Sequence, residues 1–121
     1  MKESDVLNAV RLEATQQGVR LWRNNVGATY TRDGSFIRYG LCNESSAVND
    51  VMKSGDLIGI RPMIIEKWMV GGLVGVFVSR ECKASDWKPD NSKRTKAQIA
   101  WRDLILQLGG DAEIVSGTGS V

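Results

Sequence analysis

The sequence predicts an α/β fold, a mixed β-sheet flanked by α-helices with the core order α-β-β-β-α-β. Three observations predict it. An amphipathic segment opens the chain, with Val6, Val10 and Ala14 at helical spacing. Two apolar runs of strand length, Leu57 to Ile65 and Leu73 to Cys82, follow one another in the middle. A second amphipathic segment then passes through Gly109-Gly110 into a short apolar run from Ala112 to Val115. At 121 residues, one such domain accounts for positions 1–121.

Taken in order, residues 3 to 17 form the first helix, and Gly18 stops it. Val19 to Arg23 is a short strand running into the turn-forming Asn24-Asn25-Val26-Gly27. Ala28 to Arg32 and Ser35 to Tyr39 flank Asp33-Gly34, the signature of a two-residue hairpin. Residues 40 to 55 are polar and are expected as an irregular, mobile loop. In the first central run, Pro62 marks where pairing stops or the strand becomes an edge. The second helix spans Lys93 to Leu108, with a core stripe of Ala97, Ala100, Trp101, Leu104, Ile105 and Leu108. Residues 116–121 are expected as a flexible tail.

The composition, 42% hydrophobic and 25% charged, is that of an ordinary soluble domain. No run approaches the roughly 18 apolar residues of a membrane span, and the N-terminus lacks a signal-peptide pattern. The expectation is a cytoplasmic, intracellular protein with no membrane partner. The net charge of +2 does not by itself argue for nucleic acid. Arginines at 20, 23, 32 and 38, and the group Lys88, Lys93, Arg94 and Lys96, are placed to contact phosphates or to be solvated surface. Cys42 and Cys82 offer neither a disulfide framework nor a zinc site. The chain has no histidine, which removes Ser-His, Cys-His and His-based acid–base schemes. Catalysis here has to run on carboxylates, lysine and a metal.

Those groups stand together. Asp56 heads one central run and Glu81-Cys82-Lys83 ends the next. Side chains alternate along a strand, so Glu81 and Lys83 share a face and Cys82 points to the other, buried and inert. If the runs pair, Asp56, Glu81 and Lys83 converge into a divalent-metal site with a charge stabiliser beside it. The bland alternatives are a Gly-Asp turn and a solvated surface ion pair. An acid ending a buried strand has to be paired or neutralised, which favours the site.

The ordered set of motifs resembles the PD-(D/E)xK nucleases of the restriction-endonuclease-like fold, and within them the VRR-NUC, or virus-type replication-repair nuclease, branch. The resemblance rests on Glu3 in the first helix, Leu21-Trp22-Arg23-Asn24-Asn25-Val26-Gly27, Arg38-Tyr39-Gly40-Leu41, Gly55-Asp56-Leu57-Ile58-Gly59, Glu81-Cys82-Lys83, and Gln98. It covers residues 3 to about 115, and the length is similar to stand-alone phage and prophage members, typically homodimers acting on branched DNA. The resemblance implies that Asp56, Glu81 and the Cys82 backbone carbonyl ligate Mg²⁺ or Mn²⁺. It assigns Lys83 to the attacking water and the phosphate charge, Gln98 to bracing the site, and Glu3 to the metal directly or through water. Glu13 shares much of the same helical face, and the pattern alone does not separate it from Glu3. The implied activity is a metal-dependent, structure-selective DNA endonuclease of the Holliday-junction-resolvase kind. The competing readings are a flap, other DNA or RNA nuclease, and a non-cleaving DNA-binding module.

Arg23, Asn24, Asn25, Tyr30, Arg38, Lys93 and Arg94 are candidates for DNA contact, because guanidinium forks and amides suit phosphate oxygens. Two departures from the family pattern stand out. Gly55 occupies the place of a common proline, which predicts a less rigid turn before Asp56. The stretch from Gly40 to Asp56 is long, and predicts an insertion that shapes the DNA groove. Met63, Trp68, Met69, Ile99 and Leu106 are expected to form a dimer surface, and Trp101 belongs to the core.

Overall fold

A computed structural model describes residues 1–121. Helix α1 (Glu3–Gln16) leads into β1 (Arg20–Arg23), and a separate two-stranded ribbon follows, β2 (Gly27–Tyr30) and β3 (Phe36–Tyr39). A short helix α2 (Ser46–Val51) precedes the long strands β4 (Leu57–Ile64) and β5 (Leu73–Cys82). Helix α3 (Lys93–Gln107) and β6 (Asp111–Val115) complete the fold. The main sheet has the order β1-β4-β5-β6. Its first two pairings are antiparallel, and β5 pairs with β6 in parallel. The protein is therefore an α/β fold built on a mixed sheet flanked by helices. Leaving aside the ribbon and α2, which are inserted between β1 and β4, the order is α-β-β-β-α-β.

Local chemistry sets the boundaries. After α1, Gly18 adopts φ +76° and Val19 N donates to Ala14 O at 2.8 Å, closing the helix on a left-handed residue. The same device recurs after α3, where Gly109 has φ +89° and Gly110 N donates to Ile105 O at 2.9 Å. Ser92 caps the start of α3 by accepting from Thr95 N. Pairing of β1 with β4 ends at Ile60, so Pro62 sits where β4 has become an edge on that side.

The core lies between α1 and the sheet. Val6, Val10 and Ala14 are fully buried against Leu21, Leu57, Val78, Cys82 and Val115. Each such valine contributes about 1.5–3 kcal/mol of burial. On the opposite face α3 packs over β5, where the Trp101 indole donates to Ser79 Oγ at 2.8 Å and meets Phe77 edge-on. No helix is long and apolar enough to cross a membrane.

Four expectations need correction. The hairpin turn has three residues, not two: Thr31 N donates to Ser35 O, and Gly34 takes φ +86°. Asp33 draws in both Ser35 N and the Thr31 hydroxyl, which tightens the longer loop. Residues 40–55 are not an irregular loop. They contain α2, capped by Ser45, and Lys53 N donates to Ala97 O of α3. The stripe of α3 is shifted: Thr95, Ala97, Gln98 and Trp101 are buried, whereas Leu108 is exposed. The 116–121 segment is tied down, because Arg80 binds Ser120, Gly119 N donates to Glu13, and Val121 packs on the core.

Candidate active site

Strand register brings the acids together. Leu57 pairs with Arg80, so Asp56 and Glu81 face one another one step beyond the last pair. The backbone N–H of Asp56 donates to Glu81 Oε2 at 3.1 Å, and Cys82 N donates to Asp56 Oδ2 at 2.9 Å. Glu81 is buried, and Gln98 on α3 donates to its Oε1 at 2.6 Å. Lys83, also buried, places Nζ 3.7 Å from the same oxygen and 5.7 Å from the centre of the Trp87 ring. Cys82 turns to the other face and lies in the core, as alternation requires.

The electrostatics follow from this crowding. Burial first, then the adjacent Asp56 charge, pushes the Glu81 carboxyl up to about 8. Lys83 and Arg94 pull in the opposite direction. Burial and the nearby carboxylates push the Cys82 thiol up to about 12, so it is no nucleophile. One side-chain acceptor beside Glu81, Gln98 Oε1, is buried without a partner.

The acids open into a cleft of about 350 Å³. Gln98, Arg94, Arg38, Lys53 and Asn49 are among its lining residues. Part of its polar lining comes from the inserted segment, which supplies Asn43, Asn49, Lys53 and Ser54. The sequence reading expects the stretch from Gly40 to Asp56 to shape the groove but names none of these four as a site residue. Their signal was the capped Ser45–Val51 helix, which commits residues 40–55 to one surface.

The remaining expected residues divide into several groups. Arg38 lines the cleft and donates to Asn43 Oδ1 at 2.9 Å, and Arg94 lines it from α3. Arg23 stands with Glu3 and Asp56 along a second, smaller groove. This separates the two helix acids: Glu3 lines the same groove as Asp56, whereas Glu13 binds Gly119 N at the far end of α1. Asp56 and Glu81 form the paired acids, and Glu3 shares the adjoining groove with Asp56. Asn24 also lines the cleft, but its amide is engaged within the protein. Nδ2 donates to Ser54 Oγ and Gly55 O, and Oδ1 accepts from Leu41 N. Asn25 and Tyr30 are exposed, and Lys93 pairs at the surface with Asp50.

Gly55 corrects the expectation of a loose turn. It is buried, and a side chain there would run into Ser79 Oγ and the Arg80 backbone. Close packing and the Asn24 hydrogen bond hold the turn, doing the work of a proline.

The donor set suits a hard divalent cation. Two carboxylates are hard oxygen donors, with no imidazole or free thiolate beside them. Two opposed acids on adjacent strands otherwise repel, and a cation between them offsets that repulsion. No protein-family model, curated protein or solved structure matches the chain.

Proposed function

We propose that the protein is a metal-dependent endonuclease of the PD-(D/E)xK type, VRR-NUC-like, that hydrolyses phosphodiester bonds in branched DNA. The observation that carries this reading is the Asp56–Glu81 pair at the ends of β4 and β5, with Lys83 on the same face as Glu81. Asp56, Glu81 and the Cys82 carbonyl would hold Mg²⁺ or Mn²⁺, with Glu3 acting through water. The bound cation supplies Lewis-acid polarisation of the phosphate and a more acidic water.

The chain's own residues do the rest. Gln98 fixes the Glu81 carboxylate in orientation by its 2.6 Å hydrogen bond. Lys83 holds positive charge at the site, offsets charge that develops on the phosphate, and orients the attacking water. Arg38, Lys53 and Arg94 form a basic wall that receives the neighbouring phosphates.

A second copy is part of the proposal. Along the far half of β4 and β5, Ile60, Ile64 and Leu73 stand exposed on one face beyond Phe77, where α3 packs through Trp101, and Trp68 and Val70 project from the turn. Trp68 and Leu106 of the expected dimer surface are exposed beside this face, while Met63, Met69 and Ile99 are half-buried. A two-fold dimer through it presents two sites for paired cuts across a junction.

The test is a panel of labelled four-way junction, flap, duplex and single-stranded DNA with Mg²⁺, Mn²⁺ or chelator. Cutting of branched DNA that needs metal and disappears in Asp56→Ala and Lys83→Ala is expected. Undiminished cutting by both variants overturns the site. Sedimentation as a monomer at high micromolar concentration overturns the dimer.

A further inference from the structure

The β2–β3 ribbon belongs to no core. It forms its own two-stranded sheet, and nearly every residue in it is exposed. Such ribbons are marginal alone, so one rich in exposed aromatics needs a reason. The register supplies it. Tyr30 pairs with Phe36 and Ala28 with Arg38, so these four share one face. Ala28 and Arg38 line the cleft that holds Asp56 and Glu81. Two residues further along the same face lie Phe36, 52% exposed, and Tyr30, 72% exposed, with ring centroids 5.2 Å apart. The Arg38 guanidinium lies 5.6 Å from the Phe36 ring centre. A groove with Phe36, Arg38 and Asn43 among its lining residues runs on from the cleft, with Glu44 on its wall.

We propose that this face is a stacking platform for unpaired bases, carrying a single strand of DNA from Tyr30 and Phe36, past Arg38, into the cleft at Asp56 and Glu81. The proposal rests on the endonuclease reading and narrows its substrate to branched DNA with an unpaired strand at the branch. Alternating aromatic and guanidinium groups are the chemistry of single-strand binding: rings take the base faces without sequence preference, and arginine takes the phosphates. Arg32, at the exposed tip of the ribbon, adds a second cation at its outer end. A cross-strand aromatic pair also stabilises a hairpin. That role needs only the contact between the rings, and leaves unexplained why the pair continues the line of the cleft through Arg38.

The test measures binding in chelator, where cleavage is silent. Fluorescence anisotropy compares a blunt DNA hairpin with the same hairpin carrying a short unpaired tail, and 2-aminopurine in the tail reports stacking. The tailed DNA is expected to bind about tenfold tighter. Tyr30→Leu and Phe36→Leu keep an apolar strand residue but remove the π-face. Each should cut the tail preference by about fivefold or more and reduce 2-aminopurine quenching. Phe36→Trp should retain both. Equal affinity for tailed and blunt DNA overturns the platform, as do leucine variants that keep the preference. Metal-dependent cutting of fully paired junctions without any tail preference would overturn the platform and leave the endonuclease reading standing. A tail preference with no cleavage under any metal would support the platform and overturn the endonuclease reading alone.

Discussion

Asp56 and Glu81 hold each other's strands. The Glu81 carboxylate accepts from the Asp56 backbone at the head of β4, and the Asp56 carboxylate accepts from the Cys82 backbone at the tail of β5. Two like charges are thereby fixed opposite one another in a buried place, and without a cation the site relieves this by keeping a proton on Glu81.

That relief makes the metal-free protein sensitive to pH. The Glu81 carboxyl is raised from 4.5 to about 8, so the folded state binds a proton that the unfolded state gives up earlier. Its contribution is complete below about pH 4.5 and is lost as pH rises through about 8. Urea midpoints measured in chelator should therefore fall between pH 5.5 and 8.5 by the equivalent of roughly 2–4 kcal/mol. Glu81→Gln should remove most of that slope, and Mg²⁺ or Mn²⁺ should offset it in the wild type. A variant with the wild-type slope would place the titrating group elsewhere.

On the proposed endonuclease reading, Lys83 separates chemistry from metal binding. Its Nζ approaches Glu81 Oε1 at 3.7 Å, and an ammonium has no lone pair to offer a cation. Lys83→Met should lower cleavage by about 10²–10⁴-fold while Mn²⁺ affinity stays within a few-fold of wild type. Lys83→Arg is not expected to rescue, because a planar fork does not fit the space of a compact ammonium over Trp87. Loss of Mn²⁺ binding in Lys83→Met would show a structural role instead.

Gly55 predicts a stability change at the site's hinge. A methyl group there meets Ser79 Oγ and the Arg80 backbone. Gly55→Ala should cost about 1–3 kcal/mol and depress cleavage by moving Asp56. Adding Ser79→Ala should recover part of the stability, since it removes the nearest obstacle but not the backbone. Thermal melts of the single and double variants check this, and full stability of Gly55→Ala would refute the packing argument.

The sheet and the acid pair were legible in the sequence for a physical reason. Val6, Val10 and Ala14, and the runs ending at Ile65 and Cys82, carry periodicities that only a helix and strands can bury. Alternation along the second run then put Glu81 and Lys83 on one face. The wall of the cleft was not legible in that way. Asn43, Lys53 and Ser54 are polar residues in a polar stretch, and their placement depends on tertiary hydrogen bonds such as Asn24 to Ser54 and Lys53 to Ala97. The tail was misjudged for the same reason: Ser116 to Val121 has turn-forming chemistry, and its anchor, Arg80, lies 40 residues away.

Arg80 is the last test of that kind of order. It is fully buried and pairs with Asp111 at 3.1 Å, while Arg61 approaches the same carboxylate oxygen at 3.0 Å. Its guanidinium also donates to Ser120 Oγ and O and to the Ser79 and Asp111 carbonyls. Arg80→Met leaves Asp111 with Arg61 alone and releases the tail, and should cost about 3 kcal/mol. Amide exchange in residues 116–121 should accelerate more than in α1, because the tail loses its hydrogen bonds while the core keeps its packing. Replacing both partners, as Arg80→Met with Asp111→Leu, should recover a large part of the stability but not the slow exchange of the tail. The opposite pattern, a stable single variant with a protected tail, would mean that Arg80 fills space and does not anchor the chain.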